Sequence, residues 1–402
     1  MKQLPLHQEH QTLGARFSDV GGWEVPADYG DPLKEYRAVQ ETAGLFDLTY
    51  RGKIRVTGRD RVKFLQGILS QDIPKIPAGR GGYAALLNLK GKMVSDLRVL
   101  VAEEAIFLDT EGGVEKTVLE TLNRYAMLSD VKLDDVTESI GLLSLQGPQA
   151  TNILEECTGV SLSLSEEFSH HEIAVHALLG TSGGHETSHP HPNPPPSRGR
   201  EPGKENSHPE GGGAGESATI QVIRASRTGS GGYDLLIPRE HLTSLWSPWL
   251  SRGGPKGLLP AGSTALEILR IEMGTPRFGA DMDEDTFPLE AGILNAISFE
   301  KGCYLGQEPV ARMHFRGHPN RHLVGITLEG DGLPKQGDKV YKDDKEVGWI
   351  TSPVFSPALR KAIALGYVRR ENHEVGETLM VETAGVKAPA SVTALPFRPT
   401  TP

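Results

Sequence analysis

Leu97-Arg98-Val99-Leu100-Val101 is followed, after a short break, by Ala105-Ile106-Phe107-Leu108. Leu97, Val99 and Val101 recur at every second position, the period of a strand with one buried face. The second run lies close enough to return as its antiparallel hairpin partner. Upstream, Lys53 to Thr57 alternates in the same way, with Ile54 and Val56 on one face. Helical patterns are interleaved. Asp31-Pro32 supplies a capping residue and a proline at the first helical position, before Leu33, Tyr36, Val39 and Ala43 at helical spacing, with Gly44 ending the run. Thr57 and Asp60 resemble a capping box ahead of Val62, Leu65 and Leu69, and Val114, Val118, Leu122 and Ala126 mark a further helix. Strands and helices mix without a regular βαβ repeat. The expected class is therefore α+β, antiparallel sheets with helices, rather than a doubly wound sheet.

Two breaks organise the chain. Residues 181–217 hold eight glycines, seven prolines and one apolar side chain, Ala214, too little to offset the entropy of ordering, so a disordered insertion is expected. Its histidines, His185, His189, His191 and His208, show no zinc-type spacing with cysteines, and no metal site is expected there. From His322 onward short alternating runs are separated by Gly330-Asp331-Gly332, Gln336-Gly337-Asp338 and Lys342-Asp343-Asp344. Closely spaced short strands of this kind indicate a small β-barrel or sandwich. The expected division is an α+β domain over 1–320, in two subdomains with the insertion inside it, and a β-barrel domain over 321–402.

Composition narrows the function classes. The 402 residues carry a net charge of −10, which gives no overall basic field for nucleic acid. The first twenty residues lack the apolar core of a signal peptide, and no run approaches the length needed to span a membrane. Cys157 and Cys303, the two cysteines, provide no disulfide framework and suit a reducing compartment, so a cytoplasmic protein is expected.

Cys303 lies in Lys301-Gly302-Cys303-Tyr304-Leu305-Gly306-Gln307-Glu308. A thiol reacts as its thiolate, which nearby positive charge favours, and Lys301 stands two positions away. Gly306 followed by Gln307, Glu308 and Pro309 reads as a helix start. The alternative is a structural cysteine in a glycine turn, with Lys301 and Glu308 as a surface ion pair of little worth.

Several segments, in order, resemble the glycine cleavage T-protein superfamily of folate-dependent aminomethyltransferases. They are Ala43 to Thr49 with Gly52-Lys53-Ile54; Tyr83 with Leu87-Asn88 and Gly91 to Leu97; Ser226-Arg227-Thr228-Gly229; Leu269 to Gly274; and Pro288 to Gly292. Ser352 to Ser356 and Ala362 to Val368 resemble its closing barrel strands. Within that superfamily, Lys-Gly-Cys-Tyr-x-Gly-Gln-Glu resembles the signature of the YgfZ-type branch, whose members bind folate and assist iron–sulfur cluster assembly. Trp23 to Gly30 looks more like the aminomethyltransferase branch. Three positions depart from the aminomethyltransferase pattern: Ser95-Asp96 where two aspartates are frequent, Ser230-Gly231-Gly232-Tyr233 where a pterin-binding glutamate is expected, and Leu266 where an arginine is expected.

The resemblance implies tetrahydrofolate as cofactor. Its flat pterin needs an apolar slot with a carboxylate or amide, and its anionic tail needs cations. Asp96 is the first candidate carboxylate, for acid–base or charge-stabilising work. Tyr83 stacks on the ligand or belongs to the core; Arg227 binds a folate carboxylate or holds a loop; Glu290 binds pterin donors or caps a turn. Tyr304, Gln307 and Glu308 complete the expected binding set, and Cys303 with Lys301 completes the catalytic one. Glu272 is expected in a structural ion pair. The leading expectation is a tetrahydrofolate-binding accessory factor for assembly or repair of iron–sulfur enzymes, with transient iron–sulfur partners that include tRNA-modifying enzymes, and without a permanent cluster of its own. The alternatives are an aminomethyltransferase and a non-catalytic folate-binding scaffold.

Overall fold

The computed structural model describes residues 1–175, 218–330 and 332–398. The expected insertion at 181–217 lies outside the described residues. Met93–Val101 pairs antiparallel with Ile106–Thr110 in the hairpin expected from its alternation. That hairpin is the centre of a five-stranded antiparallel sheet ordered Arg80–Leu87, Met93–Val101, Ile106–Thr110, Gly52–Thr57, Lys132–Asp135. Leu97 and Val99 face Leu65 and Ile68 of the helix Arg61–Ile68 and Val118 and Leu122 of the helix Glu115–Ala126. Each fully buried Leu or Ile of this kind contributes roughly 1.5–3 kcal/mol. Asp96 and Arg98 alternate with them and point to the sheet's other side.

A second sheet of six strands runs His170–Ala174, Thr219–Arg224, Gly232–Pro238, Ile140–Gln146, Ala43–Asp47, Leu258–Pro260; only the last pair is parallel. One face is covered by the helices Ala150–Thr158 and Leu242–Gly253, whose Trp246 and Trp249 are fully buried. Its other face packs against Tyr36 and Val39 of the helix Pro32–Glu41 and Ala265 and Leu269 of the helix Ser263–Glu272. Leu100 of the first sheet joins this same cluster, so the two sheets meet there. A further sheet of three short strands lies near the N-terminus. The last six strands, Arg321–Leu328 to Val386–Thr393, close into an antiparallel barrel. The architecture is α+β with a C-terminal barrel, as expected.

Two local readings are corrected. The helix after Asp31 is capped as expected, with Asp31 accepting from the Leu33 and Lys34 amides at 3.1 and 3.0 Å. It ends at Glu41, however, and Gly44 lies inside the strand Ala43–Asp47. A Cβ at Gly44 would stand 2.5 Å from Val39 Cγ2, so this glycine permits close helix–strand packing rather than a helix stop. Asp60 is an N-cap residue without a side-chain cap bond, because its carboxylate accepts from the Asp130 amide at 2.8 Å instead.

The barrel is fastened to the rest through buried charge. Glu272 accepts from Tyr36 at 2.9 Å, Ser356 at 2.5 Å and Arg398 at 2.8 Å, so it forms a structural ion pair, with Arg398. Arg270 reaches Asp281 at 2.8 Å and Ser352 at 2.7 Å. Among the described residues, no helix is long and apolar enough to cross a membrane.

Candidate functional site

Where the two sheets meet, a cavity of about 400 Å³ opens. The strand Met93–Val101 projects Asp96 and Arg98 into it, and Ile106–Thr110 projects Asp109. Tyr83, Tyr50 and Phe168 give aromatic wall; Leu48, Leu266 and Ile293 give aliphatic wall. A volume of this size with a few convergent polar groups suits a small-molecule ligand.

Asp96 is the chemical centre of this cavity. Its Oδ2 accepts a 2.8 Å hydrogen bond from the Tyr83 hydroxyl. Its Oδ1 is buried with no protein partner, an arrangement that costs free energy unless something else supplies the bond. Burial, then the nearby Glu111 charge, push the Asp96 carboxyl above the usual aspartate range, against the pull of the Tyr83 hydrogen bond. Burial and the Asp96 charge in turn hold the Tyr83 phenol well above its ordinary value, so it remains a donor. The structure brings Asp96 and Tyr83, both candidates from the sequence, to the same cavity, with the Tyr83 hydroxyl spent on Asp96.

Behind them lies a charged lattice that sequence reasoning missed. Asp109 accepts from Arg51 at 2.7 Å, Arg227 at 3.0 Å and Arg98 at 3.4 Å. Arg227 also grips Asp234 at 2.6 Å, and Arg51 pairs with Glu111. Arg227 therefore lines the cavity with its guanidinium already engaged by the strand carboxylates Asp109 and Asp234, rather than by a loop carbonyl. Glu111 is held below the usual carboxylate range: burial raises it, but Arg51 and Arg277 outweigh burial. The available signal was the alternation of Asp96 and Arg98 with Leu97 and Val99, since charged residues on the second face of a buried strand need partners there.

The cysteine motif serves other ends. Lys301 is buried and donates to the carbonyls of Gln66, Leu69 and Gln71 at 2.8, 2.7 and 2.7 Å. It closes the C-terminus of the helix Arg61–Ile68, where free carbonyls need donors, and this corrects its expected catalytic role beside the thiol. Tyr304 is core, packed with Ala85, Leu87 and Met93, and burial pushes its phenol up to about 12. Gly306, at φ +76°, is the N-cap of the helix Gln307–Arg316, the helix start expected from sequence. A Cβ there would lie 2.3 Å from the Asn88 carbonyl oxygen, so the glycine seats the motif on the turn joining Arg80–Leu87 to Met93–Val101. Cys303 is exposed. Neither it nor Tyr304, Gln307 or Glu308 lines the cavity. Glu290 also lies outside the lining: it accepts from the Phe287 amide at 3.2 Å and pairs with Arg321 at 3.2 Å, which is the turn-capping alternative. Among the described residues, no group of three or more His, Cys, Asp or Glu side chains could hold a metal ion.

Comparison with known proteins gives consistent results. A family model described as GCVT N-terminal domain matches residues 6–181 and 213–301, and one described as glycine cleavage T-protein C-terminal barrel domain matches 321–398. The aminomethyltransferase of Symbiobacterium thermophilum is 32% identical, covering 99% of this chain and 97% of that protein. The aminomethyltransferase of Bacillus pumilus is 29% identical, covering 99% and 98%. The crystal structure of glycine cleavage system aminomethyltransferase T from Bartonella henselae superposes with a TM-score of 0.81 at 25% identity, covering 99% of this chain and 98% of that one. These full-length relatives overturn the iron–sulfur accessory reading and the YgfZ-type placement drawn from the cysteine motif, since they carry the aminomethyltransferase name.

Proposed function

The chain belongs to the glycine cleavage T-protein family, and on that premise we propose that it is a tetrahydrofolate-dependent aminomethyltransferase working in the cavity between the two sheets. The observation that carries this reading is Asp96, half-buried, fixed at one oxygen by Tyr83 and with its other oxygen buried and bare. The residues suit the cofactor: an unpartnered carboxylate oxygen for ring N–H groups, aromatic wall for the flat rings, and arginine for the anionic tail. Tetrahydrofolate supplies, when bound, the amines that receive the one-carbon unit.

The chain's own residues divide the remaining work. Tyr83 holds the Asp96 carboxyl in one orientation. Ionised, Asp96 stabilises positive charge on a nitrogen at Oδ1; protonated, it donates from the same atom to a departing amine. Its raised pKa brings the two forms closer to balance near neutrality than in an ordinary aspartate. Phe168, Leu48 and Leu266 give the cavity apolar wall, and the low-dielectric interior makes the charges of Glu111, Arg51 and Arg98 felt at the carboxyl more strongly than in water. The partner that presents the aminomethyl group is a lipoyl carrier protein.

The test is formation of methylene-tetrahydrofolate from an aminomethyl-lipoyl carrier. Wild type should support it, and Asp96→Asn should lower the rate by about 10²–10⁴, the range for an acid–base group, with tetrahydrofolate still bound. A wild type that binds tetrahydrofolate yet forms no product would refute the transferase reading in favour of a non-catalytic folate-binding scaffold.

A further inference from the structure

We propose that Arg277 is the residue that takes the carboxylate tail of the ligand, an inference that rests on the tetrahydrofolate reading above. Five arginines line the cavity, and four have their guanidinium groups committed in different degrees. Arg51 is gripped by Asp109 and Glu111, and Arg227 by Asp109 and Asp234. Arg270 is spent on Glu267, Asp281 and Ser352. Arg98 touches Asp109 at 3.4 Å and stands two residues from Asp96 on the same strand face, at the carboxylate end of the cavity.

Arg277 differs in its side chain and in its backbone. Its Nη2 stands 3.5 Å from Glu267 Oε1, a loose approach, and its Nε is buried with no hydrogen-bond partner. A buried guanidinium N–H without an acceptor is costly, and an anion arriving in the cavity would remove that cost. The side chain is 35% exposed, so a ligand can reach it. The backbone beneath it is fixed at both ends. The Arg277 amide donates to Asp281 Oδ2 at 3.0 Å, and its carbonyl accepts from the Ala280 and Asp281 amides at 3.2 and 2.8 Å. Asp281 is itself held by Arg270 and by Thr351 of the barrel. Glu111 and Glu267 both feel the Arg277 charge, Glu267 only at 3.5 Å, while the Arg277 Nε keeps no partner; on so rigid a base such a planar cation suits recognition of a carboxylate, which an arginine can meet with two parallel bonds. Arg277 rises from the loop after the helix Ser263–Glu272, a different wall from the strand bearing Asp96. The two residues therefore read opposite features of one molecule: a ring amine at Asp96 and an anionic tail at Arg277.

The experiment compares tetrahydrofolate with tetrahydropteroate, which keeps the pterin and aryl rings and lacks the glutamate, by calorimetric titration of the full-length protein. Wild type should prefer tetrahydrofolate by about 10- to 100-fold, the worth of one charge-assisted contact. Arg277→Gln should bind tetrahydropteroate as wild type does and lose the preference, and Arg277→Lys should restore part of it. An Arg277→Gln protein that weakens both ligands equally, or keeps the preference, overturns the assignment. A wild type that binds both ligands equally overturns it while leaving the tetrahydrofolate reading intact. A wild type that binds neither overturns both.

Discussion

Replacing Lys301 by methionine separates a structural lysine from a thiol-activating one. The ammonium donates three hydrogen bonds of 2.7–2.8 Å to main-chain carbonyls at the end of the helix Arg61–Ile68. A bond to a charged group is worth about 1.5–3 kcal/mol, and a buried carbonyl left bare costs about 1–3 kcal/mol. Three such bonds sharing one donor do not add fully, so the loss is set at about 3–5 kcal/mol, the range for breaking a buried charged pair. For a cooperative unit of 150–250 residues, roughly 2–4 °C accompany each kcal/mol, so Tm should fall by at least ~6 °C. Methionine keeps most of the side-chain volume, so this loss reports the bonds rather than a cavity. Urea unfolding and calorimetry of Lys301→Met, beside Cys303→Ala as an exposed-site control that should move stability by less than ~0.5 kcal/mol, would measure it. If Lys301→Met unfolded at the wild-type midpoint but alkylated more slowly at Cys303 with iodoacetamide, the reasoning would be refuted, and Lys301 would belong to the thiol.

Asp96→Asn should stabilise the protein while impairing it. A folded-state pKa raised above the unfolded value means that the folded state binds the proton more tightly; the benefit is complete at low pH and is lost as pH rises through the folded pKa. Asparagine removes that loss and can still accept from Tyr83, so Tm of the variant should exceed wild type at pH 7 and the gap should narrow toward pH 3; an unchanged gap would contradict the burial argument. Gly306→Ala places a Cβ against the Asn88 carbonyl at a left-handed φ, combining about 1–2 kcal/mol of backbone strain with a clash. It should lower the urea midpoint, whereas Gly302→Ala, which meets open space, should not.

How much was legible in the sequence depended on how local the deciding interaction is. The helix after Asp31 could be read because its cap and its proline are neighbours in the chain. The barrel could be read because turn residues recur at short intervals. Asp96 stood out by resemblance, and its partner Tyr83 lies across one hairpin. Gly44 was misread because the side chain that requires its missing Cβ, Val39, belongs to a different element of structure. Lys301 was misread because its acceptors lie more than 200 residues away, while the thiol that drew attention is two residues away. The lattice around Asp109 joins positions 51, 98, 109, 227 and 234, and no window of sequence contains it. Arg277 is of the same kind: its significance is an absent acceptor, and absence of a partner is visible only in three dimensions.

The strands His170–Ala174 and Thr219–Arg224 have a consequence for engineering. They pair antiparallel at the edge of the six-stranded sheet, with Ala174 opposite Thr219. The family match breaks off at 181 and resumes at 213, between these strands. The described chain on either side is therefore fixed at neighbouring positions, Ala174 on the outermost strand and Thr219 on the strand beside it. The entropy of closing such a loop grows with the logarithm of its length, about 0.6 kcal/mol for each doubling. A reporter domain or affinity handle grafted between 181 and 213 would be tethered through this edge pair, and because Glu167 and Phe168, just ahead of it, line the Asp96 cavity, ligand binding is the property by which the graft should be judged.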